Sequence, residues 1–276
     1  MQQTTPLYLA GVQGLSETGP IRRHNEDRFL VDTALGLAAV ADGMGGHRAG
    51  AQASTDTLAA LQAALAAPGN DDVAPQDPDA TAVDARWRHI IRLQQAITQA
   101  NAALYRRNRA HGRADGQGMG TTLTGWQWLP ALAAIVQFHV GDSRLYRYRD
   151  GVLCQLTRDH TAYQLALESA AVGALPPQNL LLQAVGPAPS VTPDIALHAV
   201  YAGDLLLLCS DGLHGWVPHA ELQQALDDAG SDLDAACAHL VALAKLHSSR
   251  DNITAVLARF AATDRLHPNA MTARMS

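Results

Sequence analysis

The chain has 276 residues, 47% of them hydrophobic and only 17% charged, with a formal net charge of −6 at pH 7. That length supports one layered core of ordinary size, and the sparse, acidic charge offers no cationic surface for nucleic acid or an anionic bilayer. No stretch reaches the roughly 18 uninterrupted apolar residues of a membrane span, and the opening MQQTTPLYLAGVQG lacks the basic-then-apolar order of a secretory signal, so a soluble cytoplasmic protein is expected. Cys154, Cys209 and Cys237 fit no paired thiolate spacing and are expected as buried thiols in a reducing compartment.

In chain order, short apolar runs predict strands at 7–13, 28–33 and 36–41, followed by a helical spacing over 49–66 (AGAQASTDTLAALQAALA). The segment 68–80, PGNDDVAPQDPDA, reads as an exposed acidic loop, not a domain boundary, because too few strands precede it to close a core. A helix over 84–109 comes next, then strands at 121–128, 131–140, 144–149 and 152–156, and a short helix near 161–170. Strands at 194–200 and 204–209, helices at 218–228 and 232–247, and a strand at 252–260 complete the pattern. There is no repeat period. Strands outnumber helices without strict alternation, which favours antiparallel sheets with helices packed outside. One domain over 1–262 is expected, with 263–276 as a flexible tail. Trp87, Trp126, Trp128 and Trp216 are expected in or at the edge of the core.

One arrangement recurs. Asp42 follows LGLAAVA, Asp142 follows AAIVQFHVG, Asp211 follows LLLLCS, and Asp251 precedes NITAVLARF. Each carboxylate stands at the end of an apolar run beside a residue that permits a sharp turn: Gly43, Ser143, Gly212 and Asn252. Glu26 and Asp27 stand just before the strand FLV. Asp-Gly is also a common turn dipeptide, and Asp150-Gly151, between the alternating RLYRYR and VLCQL, is a hairpin with nothing further to explain. If the other carboxylates converge on one sheet edge, they cannot all stay ionised uncompensated; they take up protons or are neutralised by cations. An all-oxygen donor set suits Mg²⁺ or Mn²⁺ better than Zn²⁺.

The motifs GPIRRHNEDRF (19–29), VADGMGGHRAG (39–49), GMGTTLTG (118–125), HVGDSRLYRYRDG (139–151), LTRDHT (156–161), LLLLCSDGLHGWV (205–217) and SRDNITAVLARF (249–260) occur in the order found in bacterial metal-dependent protein phosphatases of type 2C, which the chain resembles over nearly its whole length. The resemblance implies an α+β fold, a four-layer α-β-β-α sandwich of two antiparallel sheets flanked by helices. It also implies two Mn²⁺ or Mg²⁺ ions, with a weaker third, at one edge of the sandwich. By the same resemblance, Asp42 bridges both metals, Gly43 contributes its carbonyl oxygen, and Asp211 and Asp251 complete the direct ligands of one ion. Glu26 and Asp27 hold metal-bound waters, and Asp142 shares the third ion with Asp211.

Arg22, five positions before Asp27, matches the arginine that grips substrate phosphate; Arg23 competes for that role. The implied reaction is hydrolysis of phosphoserine or phosphothreonine by direct attack of a metal-bridging water or hydroxide, without a phosphoenzyme. Implied partners are phosphorylated proteins, including a Ser/Thr kinase that the enzyme opposes; a monomer is expected.

Met44 stands where eukaryotic members carry a proposed general-acid histidine, which leaves metal-bound water as the proton donor; His47 reads as a helix-entry or core histidine. His160 falls where bacterial members begin a mobile flap, and 161–190 is short for that flap. Gly43, Gly45 and Gly46 are not followed by the Lys-Ser/Thr of a nucleotide loop, so close backbone approach to metal is expected to explain them. Ser210 lacks the glycine-flanked elbow of a nucleophilic serine. Two other readings stay open at this point: a non-catalytic phosphatase-like regulator, and a hydrolase of small phosphate esters.

Overall fold

A computed structural model describes residues 6–46, 49–67, 85–169 and 173–263. Its architecture follows from strands whose residues are apolar on both faces. Two five-stranded antiparallel sheets form, and each alternates its side chains between a helical layer outside and the opposite sheet inside. The first has the order β1 (Leu7–Glu17), β12 (Ile253–Ala262), β11 (Leu205–Cys209), β8 (Arg144–Arg149) and β9 (Val152–Gln155). The second runs β10 (Asp194–Ala199), β7 (Ala134–Val140), β6 (Leu123–Leu129), β3 (Leu37–Ala41) and β2 (Arg28–Asp32). On β11, Leu205, Leu207 and Cys209 pack outward against α5 (His219–Asp227) and α6 (Leu233–Leu246), while Leu206 and Leu208 face the other sheet. On β3, Leu37, Ala39 and Ala41 meet α1 (Ala49–Ala66) and α2 (Ala85–Ala110), while Ala38 and Val40 point between the sheets. Three apolar clusters therefore separate four layers, the α-β-β-α sandwich that the sequence implied.

Differences from the sequence reading are local. The run 121–128 divides at Thr122: β5 (Gly120–Thr121) pairs with β4 (Gly43–Met44) in a small separate sheet, and β6 begins at Leu123. The run 131–140 opens with a 3-10 turn, Pro130–Leu132, and Ala133 takes a left-handed φ of 45° before β7 starts. Asp150 and Gly151, at φ 50° and 79°, make the expected two-residue hairpin between β8 and β9. Cys209 and Cys237 are buried, but Cys154 is exposed, because on edge strand β9 it alternates with the inward Leu153. Trp126 and Trp128 pack on Phe260 at centroid distances of 6.0 and 4.9 Å, and Trp216 is half-buried. Trp87 does not join the core: it is 59% exposed, in the first turn of α2 and off the stripe of Leu93, Ile97 and Leu104. The acidic loop 68–80, His47 and the tail from 264 lie outside the described residues. Among the described residues no helix is long and apolar enough to cross a membrane.

Candidate active site

Strand register decides where the aspartates meet. In the second sheet Arg28 pairs with Ala41 and Val40 with Thr124, and β7 is antiparallel to β6 with Leu123 opposite Val140. The start of β2 and the ends of β3 and β7 therefore share one edge, which carries Asp27, Asp42 and Asp142. In the first sheet Cys209 lies between Ala255 and Arg144, so the end of β11 and the start of β12 also share an edge, with Asp211 and Asp251 just beyond it. The two edges are joined by side chains. Ser210 Oγ and Thr254 Oγ1 donate to Asp27 Oδ2 at 2.6 and 2.7 Å, and the Asp42 and Asp211 carboxyls come within reach of each other.

Asp42 is held by its backbone. Its N–H donates to Thr122 Oγ1 at 2.9 Å, and its carbonyl accepts from Thr122 N–H and Thr121 Oγ1, each at 2.9 Å. At Gly43 protein atoms leave no room for a side chain: a Cβ there would lie 2.1 Å from Gly50 O and 2.7 Å from Glu26 O. Gly45 and Gly46 are exposed, with φ of 136° and 74°, a backbone region that glycine enters without strain. Ser54 Oγ donates to Glu26 O at 2.6 Å, which ties α1 to the Glu26-Asp27 segment.

Crowding of like charge marks the electrostatics. Burial, then Asp27, Asp211, Asp142 and Asp251, pushes the Asp42 carboxyl well above the usual carboxylate range. Burial, opposed by the Ser210 and Thr254 hydroxyls, raises Asp27 to about 6. Burial and Asp251 raise Asp211 to about 6 against the Asp42 hydrogen bond and Arg22, while burial, Asp211 and Asp159 raise Asp142 to about 8. Arg22 is a cation facing this cluster: burial works against its charge, but its Nη2 donates to Asp251 Oδ2 at 2.6 Å, and Asp211 and Asp42 add attraction. Arg23 points elsewhere, lining a separate cavity of about 530 Å³ with His24, Arg28 and Thr55. The structure thus separates the two arginines that the sequence left in competition.

Three carboxylate oxygens, Glu26 Oε1, Asp27 Oδ1 and Asp211 Oδ1, are buried without a hydrogen-bond partner. Such orphaned acceptors are costly unless something cationic or protonic faces them, and an all-oxygen set of this kind fits a hard divalent ion. The side chains are not closed into a cage: among the described residues no three His, Cys, Asp or Glu groups are gathered tightly enough to enclose an ion by themselves. The Asp42 and Asp211 carboxyls face each other, and Asp251 accepts from Arg22. Holding an ion here would require these groups to give up those contacts.

A match to the family model described as "Protein phosphatase 2C" extends over residues 22–248. The chain belongs to the protein phosphatase 2C family. A serine/threonine phosphatase of Listeria innocua is 33% identical over 252 residues, which cover 88% of this chain and 92% of that protein. The crystal structure of the Mycobacterium tuberculosis serine/threonine phosphatase PstP superposes with a TM-score of 0.75 at 30% identity, covering 92% of this chain and 98% of that one. A PstP catalytic domain in complex with two manganese ions gives 0.73 at 30% identity, over 94% of this chain and all (100%) of that one. The family span includes every candidate residue except Asp251, which β12 brings to the cluster through its register with β11.

Sequence reasoning missed several residues that assemble this cluster in the phosphatase 2C chain. Asn252, read only as a turn former, is 5% exposed; its Oδ1 accepts from Glu26 N–H at 2.8 Å, and its Nδ2 donates to Thr18 O and His24 O at 2.9 and 3.0 Å. His214 Nε2 donates to Asp142 O at 2.9 Å, fixing the β7–β8 turn to α4 (Asp211–His214), and burial and Arg144 hold the ring neutral at a pKa of about 3. Ser210 is spent on Asp27, consistent with its rejection as a nucleophile. His160 is buried: its N–H donates to Gly141 O at 2.7 Å, and Leu182 N–H donates to its carbonyl at 2.7 Å. It anchors the segment that carries α3 (Ala162–Glu168), between the Thr161–Leu181 and Thr121–Val185 bridges. Between α3 and α4 a groove of about 470 Å³ opens on Asp142 and Asp211 and is lined farther out by Tyr163, Leu167 and Trp216.

Proposed function

We propose that this chain is a metal-dependent protein phosphatase that hydrolyses phosphoserine and phosphothreonine by direct water attack, without a phosphoenzyme. The observation that carries the reading is the convergence of Asp42, Asp211, Asp251, Asp27 and Asp142 on one edge, with buried acceptors that lack partners. Two Mn²⁺ or Mg²⁺ ions would be held by Asp42, the Gly43 carbonyl, Asp211 and Asp251, with Glu26 and Asp27 holding metal-bound waters. A weaker third would lie between Asp142 and Asp211. Such ions supply Lewis acidity and lower the pKa of bound water enough for attack on phosphorus at neutral pH.

The chain's own groups do the rest. Arg22 uses one nitrogen on Asp251 and its side chain is 51% exposed, which leaves further donors for phosphate oxygens. Thr121 and Thr122 hold the Asp42 backbone, which fixes where its side chain starts. Met44 carries no proton, so the leaving alkoxide takes its proton from water. Phosphorylated proteins, an opposing Ser/Thr kinase among them, are the proposed partners of a monomer. Cys154, an exposed free thiol, suits a reducing cytoplasm. The first sheet pairs β1 with β12, strands from the two ends of the described chain, which supports one domain over 1–262; 263–276 is proposed as a tail.

Hydrolysis of p-nitrophenyl phosphate with Mn²⁺, with excess chelator, and by Asp211→Ala tests the reading. Activity is expected only for the unaltered chain with Mn²⁺. Undiminished turnover in chelator removes the mechanism, and inactivity in Mn²⁺ favours a non-catalytic regulator. Phosphothreonine peptides turned over faster than nucleotides and sugar phosphates support a protein substrate.

A further inference from the structure

The end of α2 carries the sequence YRRNRAHGR over residues 105–113, with Arg106, Arg107, Arg109 and Arg113 around His111, in a chain whose net charge is −6. None of these residues belongs to the carboxylate cluster. Arg107 pairs with Asp56, and Arg109 lies 3.5 Å from Asp115, so two of the four guanidinium groups are offset by carboxylates. Arg106 and Arg113 are exposed and have no ion pair among the described residues. The segment is positioned firmly: Asn108 Nδ2 donates to Met119 O and Gly186 O at 2.7 and 3.0 Å, and Asn108 Oδ1 accepts from Met119 N–H at 3.0 Å. Between this segment and the turn after β4 lies a cavity of about 440 Å³, lined by Arg107, His111 and Arg113 on one side and by Gly45, Ala49 and Gln52 on the other.

This cavity adjoins the candidate active site. Gly45 is three residues beyond Asp42, so their Cα atoms are at most about 11 Å apart. Met119, on the cavity wall, precedes Gly120, which pairs with Met44. A concavity that carries Arg113, unpaired among the described residues, beside Arg107 and His111, next to a site that works on phosphate esters, suits an anion carried by the same substrate. An extended segment advances about 3.3 Å per residue, so that anion would stand roughly three to six residues from the phosphoresidue being hydrolysed.

We propose that the Arg107–His111–Arg113 cavity binds a second phosphoryl group of a multiply phosphorylated substrate segment and so selects clustered phosphosites. The inference rests on the phosphatase reading and names its substrate class. Its test compares a peptide with one phosphothreonine with the same peptide bearing a phosphoserine four residues before or after it, and with a glutamate in that position. The chains compared are the unaltered protein, Arg113→Glu and Arg113→Lys, all with Mn²⁺.

For the unaltered chain, KM for at least one doubly phosphorylated peptide is expected about 5-fold below that of the singly phosphorylated one, an advantage lost at high salt. Arg113→Glu should bring the ratio to about one with p-nitrophenyl phosphate turnover unchanged, and Arg113→Lys should keep most of it. A ratio near one in the unaltered chain, or a ratio that survives Arg113→Glu, overturns the proposal. A glutamate peptide favoured as much as the phosphoserine peptide overturns the choice of a phosphoryl group. Failure to turn over the singly phosphorylated peptide counts against the phosphatase reading itself, so the two failures are distinguishable.

Discussion

Asn252→Ala removes a side chain that touches no reacting group, yet its three hydrogen bonds join the start of β12 to the segment carrying Arg22 and Glu26. Each such bond contributes on the order of 1 kcal/mol net, and a buried group left unpaired costs more than an exposed one. The Glu26 N–H is half-buried, whereas the carbonyl of exposed His24 can be rehydrated, which puts the total at about 2–4 kcal/mol. For a chain of this size that corresponds to a fall in melting temperature of roughly 5–12 °C. Release of the segment also frees Arg22 and Glu26 to drift, and misplacement by about 1 Å is enough to lower kcat/KM on the order of 100-fold. Urea denaturation of the metal-free variant measures the first effect, and turnover of a phosphothreonine peptide at saturating Mn²⁺ measures the second. A stability loss below about 1 kcal/mol together with unchanged kcat/KM would refute the argument that Asn252 holds the two edges in register.

Two further outcomes follow from packing and from charge. Gly50→Ala in α1 should gain about 1 kcal/mol of helix propensity, but the new Cβ would lie 2.7 Å from Gly43 O and 2.8 Å from Glu26 Cδ. The clash is expected to win, so thermal melting and Mn²⁺ titration should both show a loss; a stabilised variant with unaltered Mn²⁺ affinity would contradict the close approach. The pH dependence has a definite sign. Asp142 at about 8, and Asp42 raised still by burial and its neighbours, bind protons in the folded state that the unfolded chain has lost. Their stabilisation is therefore present at low pH and lost as pH rises through the folded values. His139 and His214, held neutral with pKa values of about 4 and 3, act in the opposite direction only below the ordinary histidine value of about 6.5. Between pH 7 and 9 the chelated protein should melt progressively lower, by several degrees, and Mn²⁺ should abolish the fall; a melting temperature that climbs over that window without metal goes against the crowded-carboxylate picture.

The legible parts of the sequence were those set by periodicity and by turn chemistry. Short apolar runs such as LLLLC and LAAVA read as strands, and their number without strict alternation with helices pointed to antiparallel sheets with helices outside, while the four-layer stack came from the family resemblance. Asp42, Asp142, Asp211 and Asp251 were visible because a carboxylate at the mouth of such a run is unusual when repeated. What the chain order hid depends on strand register, which joins positions far apart. Asn252 reaches back to Thr18, and Ser210 and Thr254 meet on Asp27. His214 supports Asp142 across 72 positions. Nothing local distinguishes these polar residues from ordinary turn and cap formers. Cys154 and Trp87 were misjudged because residue type was weighed above position: one lies on an edge strand and the other in a helix's first turn off its buried stripe.

The central claim is that separate acidic side chains form one site for divalent ions, and counting those ions tests it most directly. Calorimetric titration of the chelator-stripped protein with Mn²⁺ should give two ions per chain at high occupancy, and Asp42→Asn, which removes the proposed shared ligand, should lose both together. Mn²⁺ binding that is absent from the unaltered chain at millimolar concentration, or that persists with the same stoichiometry and affinity in Asp42→Asn, would contradict it.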